Sequence, residues 1–196
     1  MRHPALWLAL SGVACGTAGA IDVGGWGGPD LRVDHALWLE AGGQSFLGRG
    51  VVQRRGDRLD LLLLAPTGQR LLTVQAQGRQ VRSRAAVPAL ERLDPARLLD
   101  DVRWAFFDGC PAGLKGPEVQ CQVDGHRVTE VRDDQGHPVR REVHRRGSTV
   151  RIAFEGWSQE TGCPGVPPRV RFQDLRWGYR WEMGVDQCRR PEVPGP

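Results

Sequence analysis

Residues 139–155 read VRREVHRRGSTVRIAFE, and their period decides the fold. Apolar and polar side chains alternate through Val139-Arg140-Arg141-Glu142-Val143, break at Arg146-Gly147, and resume through Val150-Arg151-Ile152-Ala153-Phe154-Glu155. A period of two sends successive side chains to opposite faces, the mark of a strand with one dry side. The pattern recurs in Val170-Arg171-Phe172-Gln173 and in Tyr179-Arg180-Trp181-Glu182-Met183-Gly184-Val185. In each run the large apolar groups share one face while Arg and Glu take the other, so an antiparallel sheet with one wet side is expected.

Turn chemistry separates the runs. Asp124-Gly125 lies between Val119-Gln120-Cys121-Gln122-Val123 and the run from His126 to Val131, and a two-residue type I′ hairpin needs the positive φ that Asp and Gly tolerate. Gly56-Asp57, Pro66-Thr67-Gly68, Gln77-Gly78 and the stretch from Asp133 to Gly136 mark further breaks. About eleven strands follow from this reading.

One helix interrupts them. Asp94 is placed as its N-cap and Pro95 in its first turn, where a missing N–H does no harm. Leu93 and Leu98 can staple the entry, and Gly109 is placed as its C-terminal stop. Leu98, Leu99, Val102, Ala105 and Phe106 form an apolar stripe at helical spacing, which must lie on the apolar side of the sheet. A helix of about four turns cannot cover such a sheet. The expected fold is therefore mainly β (α+β): a curled antiparallel half-barrel of about eleven strands, with one helix as a partial lid over an apolar concavity.

Ahead of this domain, Arg2 and His3 precede the apolar run Ala5-Leu6-Trp7-Leu8-Ala9-Leu10, so residues 1–20 read as a targeting segment. Two processing schemes stay open. Gly12-Val13-Ala14-Cys15 is lipobox-like and would be lipidated on Cys15, whereas Ala18-Gly19-Ala20 offers cleavage before Ile21. The apolar run falls short of the ~20 residues that a membrane-spanning helix needs. Residues 21–33 read as a Gly-rich tether, 34–188 as the domain, and 189–196 as a Pro-rich tail.

Setting Cys15 aside leaves Cys110, Cys121, Cys163 and Cys188, an even number that suits two disulfides in a periplasm. Three connectivities are possible. Placement favours Cys110 with Cys121, clipping the helix end to the next strand, and Cys163 with Cys188, pinning the last strand to a Gly/Pro-rich loop.

The net charge is +4 with a pI near 9.1, yet arginine is spread along the strands and Lys115 is the only lysine. No nucleic-acid partner is expected from such dispersed charge. There is no C-x-x-C pair, and His35, His126, His137 and His144 lack zinc-like spacing relative to the cysteines, so neither a metal nor another cofactor is expected. No G-x-S-x-G elbow, H-E-x-x-H helix, P-loop or dinucleotide fingerprint occurs, which points to binding and not to catalysis.

The stretch Arg58-Leu59-Asp60-Leu61-Leu62-Leu63-Leu64-Ala65-Pro66-Thr67-Gly68-Gln69-Arg70-Leu71-Leu72-Thr73-Val74 resembles the strand, Pro-x-Gly turn and strand of the LolA/LolB superfamily of outer-membrane lipoprotein carriers and receptors. Residues 94–107 resemble the helix that crosses that half-barrel, and residues 168–183 resemble its closing strand pair. Within the superfamily the likeness is greatest to a lipoprotein branch associated with aryl polyene gene clusters. Thr67 stands at the turn tip, between Pro66 and Gly68, where LolB carries an exposed leucine. The resemblance implies a periplasmic protein anchored to the outer membrane, since Gly16 follows Cys15 where an Asp would signal retention in the inner membrane.

The apolar strand faces read either as plain core or as the lining of a cavity. Candidate lining residues are Leu61 and Leu63 before the Pro-x-Gly turn, Leu98, Val102 and Phe106 on the helix, and Ile152, Phe154, Phe172, Trp181 and Met183 on the later strands. The expected function is a non-enzymatic envelope carrier or receptor holding an acyl or polyene chain of a lipid or lipoprotein. Its other contacts would be the membrane surface through a lipid anchor and an envelope protein partner. The alternative is a packed scaffold lipoprotein with no ligand cavity.

Overall fold

A computed structural model describes residues 22–26, 28–41, 43–157, 162–176 and 178–190. The expected signal segment, both processing schemes and Cys15 lie outside the described residues, as does the tail from residue 191.

Eleven strands form one antiparallel sheet. The first five are β1 (Leu31–Ala41), β2 (Gln44–Arg55), β3 (Arg58–Leu64), β4 (Arg70–Gln77) and β5 (Gln80–Ala85). Two short helices follow, α1 (Pro88–Glu91) and α2 (Pro95–Phe106). The chain then returns through β6 (Glu118–Val123), β7 (His126–Arg132), β8 (Pro138–Arg145), β9 (Ser148–Glu155), β10 (Arg169–Asp174) and β11 (Arg180–Arg189). The spatial order is β5-β4-β3-β2-β1-β11-β10-β9-β8-β7-β6. Two meanders thus meet where β1 pairs with β11, with Leu37 opposite Met183 and Leu39 opposite Trp181.

This topology fixes where the helices go. The chain leaves the sheet at one edge, β5, and re-enters at the opposite edge, β6, so the connection must traverse a face. It takes the apolar one, where α2 buries Leu99, Val102, Trp104 and Ala105. The outer strands β5 and β6 do not pair, and the sheet stays an open half-barrel rather than a closed barrel.

Turn chemistry is realised at the positions that the sequence marks. Asp124 (φ 48°) and Gly125 (φ 75°) make the type I′ connection between β6 and β7, and Asp124 is the only non-glycine with positive φ among the described residues. The core follows the alternation, with Val33, Leu59, Val74, Val128, Val143, Val150, Ile152 and Phe172 buried.

Four expectations need correction. The tether does not reach residue 33: β1 begins at Leu31, and Val23 and Trp26 are buried, because these apolar groups have sheet to cover them and the Val23 N–H donates to the Gly78 carbonyl at 3.1 Å. A second helix, α1, exists; one turn is too short to show periodicity, and it is set by Pro88 at its first turn with Leu90 buried. Gly109 is not the stop of α2, which ends at Phe106 with Phe107 as its right-handed cap. Gly109 is small for another reason: a Cβ there would lie 2.2 Å from the Arg141 guanidinium and 2.6 Å from Glu130.

The fourth correction concerns charge. Arg and Glu do not all face water, since Arg54, Glu130, Arg141 and Asp174 are buried. Buried ions persist only when paired and hydrogen-bonded; Glu130, Arg141 and Asp174 hold the lid, while Arg54 donates to the Trp26 and Gly28 carbonyls ahead of β1.

Candidate apolar binding site

Helix α2 begins where Asp94 caps it, the carboxylate accepting the Ala96 N–H at 3.0 Å. Its two flanks are chemically unlike. One carries Arg97, Asp100 and Asp101, all tied to the half of the sheet built from β6 to β10. Arg97 pairs with the fully buried Asp174 at the end of β10. Arg145 of β8 reaches Asp101 at 2.7 Å and Asp100 at 3.0 Å. Asp101 is buried throughout, which pushes its carboxyl up to about 8 against the pull of Arg145.

The C-terminal end of α2 is held on the same half. Arg141 donates to the Trp104 and Asp108 carbonyls, two acceptors left open by the helix end, and its Nε donates to Glu130 at 2.7 Å. Glu130 also accepts from the Cys110 N–H at 3.1 Å and from Arg132 at 2.9 Å. The disulfide Cys110–Cys121 then fastens the exit of α2 to β6. The second disulfide joins Cys163 to Cys188, and both pairings are those that placement favoured.

The other flank of α2 is apolar. Leu98 and Val102 look onto a hollow formed by β1 to β4 and β11, whose walls are Leu37, Leu39, Leu61, Leu63, Leu72, Trp181 and Met183 with His35 as the one ionisable group. The free space there is about 50 Å³. Six of the ten candidate lining residues, Leu61, Leu63, Leu98, Val102, Trp181 and Met183, therefore come together. The other four do not line it. Ile152, Phe154 and Phe172 are buried in the core, Phe172 stacked on Trp181 at 4.8 Å and Phe154 lying under the Arg141 guanidinium at 5.1 Å. Phe106 packs on its neighbour Phe107 instead. Their half of the concave face is occupied by the ionic cluster beneath α2. The turn residues Pro66, Thr67 and Gly68 are exposed at the tip between β3 and β4.

Sequence reasoning missed His35. It sits in phase with Leu31, Val33, Leu37 and Leu39, and a polar residue in phase with an apolar run was the available signal. Opposite it on β2 is Gly50, whose missing side chain makes the room: a Cβ there would lie 2.1 Å from His35 Cε1. Burial drives the imidazole from its ordinary 6.5 down to about 4, with the hydrogen bond to the Ala36 carbonyl and the charges of Asp186 and Asp34 pulling the other way. A depressed histidine pKa means that the unfolded chain binds the proton first. The stability contribution of neutral His35 is thus complete above pH 6.5 and falls as pH drops through the folded value of about 4. That gap corresponds to about 3 kcal/mol. Urea unfolding between pH 7 and pH 4 should show His35→Leu losing about that much less stability than the parent; parallel curves would exclude His35 as an acid-sensitive element.

The described part of the molecule has distant likenesses among solved structures. A DUF1329 family protein from Desulfovibrio piger is 12% identical with a TM-score of 0.40, the match covering 85% of this chain and 87% of that one. A putative outer membrane lipoprotein-sorting protein domain from Vibrio parahaemolyticus is 12% identical with a TM-score of 0.43, over the same shares of the two chains. No curated protein matches the chain. A family model described as protein of unknown function, DUF3261, matches residues 32–183, from the start of β1 well into β11, and the chain belongs to that family.

Proposed function

We propose that this protein is a non-enzymatic carrier or receptor of the bacterial envelope that takes an acyl or polyene chain between α2 and the apolar hollow of β1 to β4 and β11. The observation that carries this reading is the asymmetry of α2. Among the described residues its ion pairs with the sheet run to β8, to β10 and, through Arg103, to Asp124 in the turn between β6 and β7, all in one half of the sheet, while Leu98 and Val102 meet the hollow through apolar contact. The apolar flank can lift without separating a buried ion pair. The space of about 50 Å³ holds a few waters at most, so uptake of a chain goes together with that lift. Each methylene buried would contribute about 0.8 kcal/mol, enough for a long chain to bind with loose selectivity.

Other features fit the same role. The buried charges of the concave face are engaged in holding α2 and its exit, which suits binding better than catalysis. Two disulfides suit an oxidising compartment. The resemblance of residues 58–74 to the LolA/LolB hairpin agrees with lipid or lipoprotein traffic, and lipidation at Cys15 would anchor the protein to the outer membrane.

Val102→Trp fills the hollow and is expected to weaken binding of a fluorescent fatty acid tenfold or more. Solvent extraction of the purified parent followed by mass spectrometry should recover lipid. If no lipid is recovered and the probe does not bind, the carrier reading fails. The small size of the space favours a second reading, a packed scaffold that meets a partner through its outer face. On that reading Val102→Trp overpacks a filled core, costs about 1–3 kcal/mol, and no lipid is carried.

A further inference from the structure

Beside the hollow lies a second and larger space. It measures about 410 Å³ and opens at the corner where α1 meets α2, bounded by Ala41 and Gln44 of the β1–β2 hairpin and by Tyr179. This vestibule and the apolar hollow share one wall residue, Leu98. A chain lying in the hollow and emerging past Leu98 would deliver its end into the vestibule.

The chemistry changes at that point. Arg92 and Arg97 line the vestibule together with Asp94. Asp94 is engaged as the cap of α2 through the Ala96 N–H, and Arg97 is held by Asp174. The Arg92 side chain is exposed and makes no hydrogen bond or ion pair among the described residues. Tyr179 is 6% exposed, and its hydroxyl is buried with no hydrogen-bond partner among the described residues. A buried phenol ordinarily has a partner, and a guanidinium offers a planar fork suited to carboxylate or phosphate.

On the basis of the carrier reading, we infer that the vestibule is a head-group site, and that the ligand is a single-chain amphiphile with an anionic carboxylate or phosphate head. The head accepts from the exposed Arg92 guanidinium, and the Tyr179 hydroxyl, buried in the vestibule wall without a partner among the described residues, donates to it by turning outward as the head is seated, while the tail passes Leu98 into the hollow.

Arg92→Gln and Tyr179→Phe remove groups that bond nothing else among the described residues, so both variants should fold as the parent does. Binding of oleate, oleoyl lysophosphatidate and methyl oleate to the full chain provides the test. At least one anionic probe is expected to bind the parent tenfold or more tighter than methyl oleate, and whichever gains more identifies the head as carboxylate or phosphate. Each variant should shrink that preference at least threefold, weakening the anionic probe more than methyl oleate. Equal binding of all three probes overturns the head-group site and leaves the carrier reading standing. Variants that weaken all three alike overturn it too, because the residues then act on the pocket and not on the head. Failure of all three probes to bind overturns the carrier reading and this site with it.

Discussion

Loss of both disulfides is expected to cost about 6 kcal/mol, about 3 from each, by the chain-entropy relation for loops of this size. The bridges span sequence separations of 11 and 25 residues. They lie in different places, one closing the exit of α2 onto β6 and the other holding the end of β11 to the loop after β9, so their effects should add. A domain of this size has roughly 5–15 kcal/mol in total, which places the doubly reduced protein near or below the threshold for staying folded. Urea unfolding with and without reductant, or of Cys110→Ser combined with Cys163→Ser, measures the loss. A midpoint that does not move on full reduction would refute the estimate. The second bridge is further marked by Gly162, where a Cβ would lie 2.5 Å from the Cys188 carbonyl oxygen. Gly162→Ala should therefore mimic part of the loss of that bridge.

How far the sequence spoke for the fold depended on the physical range of each signal. Strand alternation and hairpin turns are local, and Asp124-Gly125 dictates its own turn whatever surrounds it. Strand number, antiparallel pairing, helix α2 and its N-cap were legible for that reason. The order of strands, with β1 beside β11, rests on contacts between chain ends and has no local trace. The route of the helices follows from that order, and so does the division of the concave face into a charged half and an apolar half. This is why Leu61, Leu63, Leu98, Val102, Trp181 and Met183 converge on the hollow while Ile152, Phe154 and Phe172, equally apolar and equally in phase, do not. Arg141, Glu130, Asp174 and His35 occupy inward positions of their strands. Their phase was readable, but phase alone could not distinguish a mis-set strand from a buried ion, because the partners lie 11 or more residues away: Arg141 with Glu130, Asp174 with Arg97.

The buried network around Arg141 yields the second large effect. Arg141 is 7% exposed and Glu130 1%, and breaking such a pair from one side leaves an uncompensated buried charge at a cost of about 3–5 kcal/mol. The two single variants should differ. Arg141→Leu removes the donor to the Trp104 and Asp108 carbonyls but leaves Glu130 with Arg132 at 2.9 Å and the Cys110 N–H, so its cost belongs at the lower end, about 3 kcal/mol. Glu130→Leu leaves two guanidinium groups, Arg141 and Arg132, facing one another without their shared carboxylate. That loss belongs at the upper end, about 5 kcal/mol. Replacing both residues with Leu removes the ion together with its counter-ion, and the double variant should fall short of the sum of the singles by about 2 kcal/mol or more. Chemical denaturation of the four proteins closes the cycle. Strict additivity would mean that the pair does not act as a unit, and that Arg141 holds the end of α2 through the Trp104 and Asp108 carbonyls independently of Glu130.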